Sequence, residues 1–270
     1  MELSGKQLNA QQPWWADYLP LLAQIDGAQI TDCERLNALL PPGLQSGDGQ
    51  AICFVPSDEL GDTGYEYRIY TTGRVSTRPD NWHDLFNALV WMRFPRIKLA
   101  MNALHYQAWD EQQGGRRGKV RDALTLFDEC GVLVVSTAPD ILQALAQRRW
   151  KEAFLTGDFS SSTRILVCGH AMLEKYLAPY KSMTAKALLL HVNEETMRLP
   201  RDQLLARVDE FIAGQMLAGT LLTKPADLSP LPLAGVPGWW QEPQNEAFYD
   251  DLQVFRAPPV NLKPALVLEP

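Results

Sequence analysis

Apolar and polar positions along this chain switch between a period near 3.6 and a period of two, which predicts interleaved helices and strands. The densest apolar stretch predicts two helices meeting at a corner. Asn81 is placed to cap the first, with Asp84 three residues on as an acidic capping-box partner, and that helix runs to about Phe94. Pro95 then opens the second, and Arg96 to about Trp109 carries the stripe Ile97, Ala100, Met101, Leu104 and Ala108. Upstream, Trp14, Trp15, Tyr18 and Leu19 form an aromatic segment expected to dock on the core. Thr31 is expected to cap a short helix that ends at Pro41-Pro42-Gly43. The run AICFV (51–55) predicts a buried strand. YEYRIYTTG (65–73) alternates in period two, and Gly73 is expected to turn it into RVSTR as a hairpin.

Downstream the same reasoning gives a basic loop over Gln112–Lys119, then a second hairpin in ALTLFDECGVLVVS (123–136) turning at Asp128–Gly131. A helix from Pro139 to about Phe154, capped by Ser136 or Thr137, follows. TRILVC predicts a strand that meets Gly169-His170 and a helix AMLEKYL stopping at Pro179. TAKALLLHV predicts another strand, and Pro200–Leu217 an amphipathic helix with Leu204, Leu205, Val208, Phe211 and Ile212 inward. From Lys224 on, proline is frequent and periodicity is lost, but Trp239, Trp240, Phe248, Tyr249 and Phe255 offer anchors. These elements predict a single α+β domain of antiparallel hairpins packed by helices. Residues 1–223 form its body, and residues 224–270 form an irregular Pro/Trp-rich segment wrapped on that body.

Composition changes this picture little. A chain of 270 residues with 46% hydrophobic and 21% charged residues can bury a full core. Cys33, Cys53, Cys130 and Cys168 show no CxxC spacing, so buried free thiols in a reducing compartment are expected. The start lacks a basic n-region followed by an apolar h-region, and no apolar run approaches the roughly 18–20 residues of a membrane span. A cytoplasmic protein is expected. Charge adds more. Between Arg68 and Arg121 ten Lys/Arg face four Asp/Glu, in a chain of net charge −7. A basic segment inside an acidic protein points to a local anionic partner, against the alternative of a solvated face balanced in three dimensions.

The candidate chemistry lies in the same stretch. His83, Asn87 and His105 sit on helices that must bury much apolar surface, so each needs partners, as a polar network or as a site. His170 stands at a strand-to-helix junction with Glu174 four residues on, as a ligand pair or an acid–base couple. Asp122 is the carboxylate expected to orient a histidine, while Asp128 is explained by the predicted turn and His191 by a satisfied core position. Arg116, Arg117 and Arg121 are expected to bind an anion. HExxH, GxSxG and GxxxxGK[ST] are absent, which disfavours zincin, α/β-hydrolase and P-loop classes. His83-Asp84 invites comparison with HD phosphohydrolases, but their upstream histidines have no counterpart before position 83.

The runs NWHDLFNALVWMRFPRIK, RDALTLFDE, GHAMLEKYLAPYK, GVPGWW and FYDD…VFR resemble an uncharacterised proteobacterial family of unknown function, from about Tyr65 to Arg256. The resemblance implies one co-folded unit and supplies no activity, cofactor or partner. The residues themselves point to a hydrolase or transferase acting on an anionic, phosphate-bearing small molecule, with a divalent metal compatible with the histidines. The competing expectation is a non-catalytic protein that binds a ligand, RNA or another protein through a structural His/Asn/Asp network.

Overall fold

A computed structural model describes residues 2–3, 6–25, 31–57, 64–110, 118–155, 157–242, 244–258 and 267–268. The first elements are β1 (Glu2–Leu3), β2 (Lys6–Gln7), α1 (Leu19–Leu22) and α2 (Cys33–Leu39). Asp32, not Thr31, caps α2, and the Thr31 hydroxyl donates instead to the Arg78 carbonyl. Trp14, Trp15 and Tyr18 are buried, as their aromatic character predicts.

The two predicted hairpins are replaced by helix–strand junctions. β3 (Cys53–Pro56), α3 (Tyr65–Thr72) and β4 (Arg74–Thr77) form a parallel β–α–β unit. Tyr, Ile and Thr favour strands, but Tyr70 stacks on Tyr106 at 3.8 Å and Asn102 bonds Glu66, so packing against the neighbouring helix overrides propensity. Gly73 ends α3 in the left-handed region (φ 71°), the ordinary glycine stop of a helix. Next come α4 (Trp82–Arg93), α5 (Pro95–Asp110) and α6 (Lys119–Cys130), the last running straight into β5 (Gly131–Ser136). The α4–Pro95–α5 corner is as predicted. In α6, Val120, Ala123, Leu124 and Phe127 make one helical stripe, so the supposed turn at Asp128–Gly131 is a helix end.

The predicted helix after Ser136 is divided into α7 (Pro139–Ala146) and α8 (Trp150–Phe154), with Arg148 left-handed between them. Then follow α9 (Phe159–Ser162), β6 (Thr163–Val167), α10 (His170–Lys175), β7 (Thr184–His191), α11 (Glu194–Met197) and α12 (Arg201–Leu217). β8 (Ser229–Pro232) and β9 (Val267–Leu268) complete the chain. The main sheet has the order β6-β5-β7, with β8 and β9 sharing the far edge of β7. β5 runs antiparallel to β6 and parallel to β7, so the fold is α+β with mixed pairing. Every residue of β5 is buried, as in a strand covered on both faces, and α6 and α7 both pack on it. His191 is half-buried at the end of β7, and Cys33, Cys53 and Cys130 are half-buried free thiols while Cys168 is fully buried. No helix of the described residues is long and apolar enough to cross a membrane.

One close approach positions the site. The N–H groups of Cys168 and Gly169 both bond the Gly131 carbonyl, at 3.0 and 2.8 Å. A Cβ on Gly169 would lie 2.4 Å from the Gly131 nitrogen, so only glycine lets the β6–α10 turn lie against the α6–β5 junction. That contact sets His170 beside the last turn of α6.

Candidate metal centre

Ten of the twelve residues of α4 are buried, so its polar side chains cannot simply face water. The Asn81 side chain caps the Asp84 N–H at 3.1 Å as expected. The Asp84 carboxylate takes Arg78, which donates its backbone N–H, Nε–H and Nη2–H at 2.7 to 2.9 Å. Asn87 donates to the Tyr65 hydroxyl and accepts from Lys98 Nζ, each at 2.9 Å. Lys98, from the first turn of α5, is buried with its ammonium 2.6 Å from Asp128 Oδ1 and 5.5 Å over the Trp91 ring. Tyr65, Asn87 and Asp128 of this string line a cleft of about 440 Å³, with Lys98 buried beneath them.

The histidines stand above it. His83, in the first turn of α4, and His170, the first residue of α10, bring their Nε2 atoms to 3.0 Å with the rings at 76°. His83 Nδ1 lies 3.1 Å from Glu174 Oε2. His170 Nδ1 faces Asp128 Oδ2 at 3.7 Å, beyond hydrogen-bond length but well inside its field. Glu129 Oε2 lies 3.8 Å from His170 Nε2, and one donor atom from each of His83, His170 and Glu129 falls within 4.8 Å of the others.

The electrostatics favour a cation between them. Asp128 and Glu129 occupy the last turn of α6, which holds no basic residue, so they stand at the negative end of the helix dipole. Burial alone would raise the Asp128 carboxyl, but Lys98 and His170 overcome it and hold that carboxyl well below the usual carboxylate range. Among the described residues, four carboxylates line the cleft (Glu66, Asp84, Asp128, Glu129) against two guanidiniums (Arg78, Arg121), and Lys98 pairs with Asp128 from below, leaving one negative charge over. His105 also lines it; burial lowers its pKa, and its Nδ1 has no hydrogen-bond partner among the described residues. The chemistry available is divalent-metal binding by two imidazoles and a carboxylate, with carboxylates on the outer ring nitrogens.

Of the residues singled out from sequence, the structure brings His83, Asn87, His105, Arg121 and His170 to this cleft, with Glu174 behind His83. Glu174 thus partners His83 across two helices and not His170 on its own. Asp122 sits half-buried in the first turn of α6 and does not line the cleft; the carboxylates there are Asp128 and Glu129, two turns along. Arg116 and Arg117 lie outside the described residues. Sequence reasoning gave Asp128 to a turn and assigned no site role to Glu129, Lys98, Tyr65 or Arg78. The missed signal was the helical stripe of α6, which puts Arg121, Thr125 and Asp128 on one face at i, i+4 and i+7.

A family model with the description "Protein of unknown function (DUF3025)" matches residues 52–258. No curated protein and no solved structure matches the chain.

Proposed function

The chain belongs to the DUF3025 family of proteins of unknown function, and we infer that it is a divalent-metal-dependent hydrolase of anionic, phosphate-bearing small molecules. One observation carries this reading: two histidine Nε2 atoms meet at 3.0 Å beside Glu129 while each Nδ1 faces a carboxylate. Metal–nitrogen bonds of about 2.0–2.1 Å in a tetrahedral site separate two nitrogen ligands by roughly 3.3 Å, so a small ring movement seats an ion. Glu174 then acts from outside, accepting the His83 Nδ1 proton and leaving Nε2 free to ligate, while the nearby Asp128 charge favours the same tautomer of His170. A bound divalent ion supplies a Lewis acid and a water that ionises near neutral pH.

The rest of the cleft orients the substrate. Arg121 and Thr125 lie on the α6 face that ends in Asp128 and Glu129, about 6–12 Å of helix away at 1.5 Å per residue. That span suits a phosphate whose bound end rests on Arg121 and whose reacting atom reaches the metal. Because carboxylates outnumber cations on the described lining, an anion should bind only once a divalent cation has cancelled the excess.

The test begins with metal content of the purified protein and titration of the chelator-treated protein with Zn²⁺, Mn²⁺ and Co²⁺. Tight binding that His83→Ala, His170→Ala and Glu129→Gln each weaken, with metal-dependent cleavage of a generic phosphoester, is expected. Failure of all three ions to bind sinks the reading. A second reading, a binding protein with a structural network, draws on Asn87 and Lys98, whose polar groups already have partners. It predicts that His83→Ala lowers stability without changing metal uptake.

A further inference from the structure

We propose that a second cavity, sharing no lining residue with the first, binds a phosphoryl anion carrying at least two charges. It has a volume of about 450 Å³ and lies where the start of β7 pairs with β8. Among the described residues, every charged side chain on its wall is a cation (Arg148, Lys186 and Arg256) and none is a carboxylate. The hydroxyls of Tyr180 and Ser182 add further donors, while that of Thr184 donates to the Ser182 carbonyl. Thr184 and Lys186 are two residues apart in β7, so the pleat turns both to the same face.

These cations differ from their neighbours. Arg149 pairs with Glu152, Lys151 with Asp250, and Lys181 with Glu242 and Asp251. Arg148, Lys186 and Arg256 make no ion pair with a carboxylate among the described residues, and the buried Arg148 Nε has no hydrogen-bond partner there. Three like charges gathered without a carboxylate partner among the described residues repel one another, and an anion relieves that repulsion.

The backbone supplies an independent argument. Arg148 follows α7 with φ 56°, its N–H bonding the Leu145 carbonyl while the Arg149 N–H bonds that of Ala144. This is the Schellman ending of a helix, whose left-handed position is usually glycine because other residues are strained there. A long cationic side chain at that position, directed into a cavity of donors, fits a ligand-binding role better than a helix stop.

The same geometry gives a test in which loss of binding and loss of fold separate. Arg148→Gly removes the guanidinium while relieving the backbone, so the variant should melt at or above the wild-type temperature. Calorimetric titration of the full chain with inorganic pyrophosphate, chelator present so that the metal centre takes no part, should show binding at low salt that weakens as salt rises. Arg148→Gly and Lys186→Ala should each weaken it by about tenfold or more, as expected for a lost charge-assisted hydrogen bond. His83→Ala should leave it unchanged. Absence of binding to the wild type, or wild-type affinity in both Arg148→Gly and Lys186→Ala, overturns the proposal whatever the fate of the metal centre.

Discussion

Lys98 and Asp128 form a buried ion pair at 2.6 Å, and each depends on the other to stay charged out of water. Removing one member strands its partner, a loss that typically costs about 3–5 kcal/mol. Lys98→Met is therefore expected to lower the unfolding free energy by that order, and Asp128→Asn by a similar amount. The double variant Lys98→Met/Asp128→Asn should recover much of the loss, since no uncompensated charge remains. Chemical denaturation of the four proteins checks this, and simple additivity of the two single losses would mean that the pair is not coupled. At this scale residue type alone singled out His83, His105 and His170, and the structure brings all three to one cleft. Residue type gave Asp128 to a turn and no partner to Lys98, because the two are 30 residues apart and meet only through packing of α5 on α6.

Among the elements, the α4–Pro95–α5 corner and α12 could be read because cap, proline and apolar stripe agree locally. α3 and α6 could not, because their Tyr, Ile, Thr and Val content imitates strands. Their helical state rests on partners far along the chain, among them Tyr106 and Asn102 of α5. A related long-range device ends the corner itself. Asp209 of α12 accepts the N–H groups of Arg96 and Ile97 at 3.0 and 2.9 Å, capping α5 from outside the helix. Burial nevertheless lifts its carboxyl to about 6, outweighing those two bonds. An unfolded Asp titrates near pH 3.9, so the native state holds the proton more tightly. The stabilisation from this group is full below about pH 4 and is lost as the pH rises through about 6, by about 1.4 kcal/mol per unit. Asp209→Asn should flatten the fall in stability across that window, measured by urea unfolding at several pH values. An unchanged profile would show that Asp209 does not titrate there.

On the scale of the whole molecule, two dependencies follow from the packing. The first concerns the segment after Thr223, which supplies β8 to the sheet edge and places Leu231, Leu233, Val236, Phe248, Tyr249 and Phe255 in the core. Tyr249 packs on Phe154 at 5.7 Å, and the Trp150 indole donates to the Arg256 carbonyl at 2.9 Å. Each such side chain contributes about 1.5–3 kcal/mol when buried, so together they rival a typical domain stability of about 5–15 kcal/mol. A chain ending at residue 223 should fail to give a cooperative melt, and a soluble, cooperatively melting product would refute this. The second follows from the proposed metal centre. With a net charge of −7 and an excess of carboxylates on the described lining of one cleft, the chain has a local repulsion that a divalent ion would remove. An ion that binds only the native state stabilises it by about 4.1 kcal/mol at a thousandfold excess over Kd. For a chain of this size about 2–4 °C of melting temperature accompanies each kcal/mol, so saturation should raise Tm by about 8–16 °C. Chelation should reverse the shift, and His83→Ala or Glu129→Gln should abolish it. In Arg148→Gly, where the second cavity no longer holds the anion, phosphate should add a further rise only when metal is loaded, because only then has the cleft lost its excess negative charge; a phosphate shift of equal size in that variant under chelation would break the link between metal and anion.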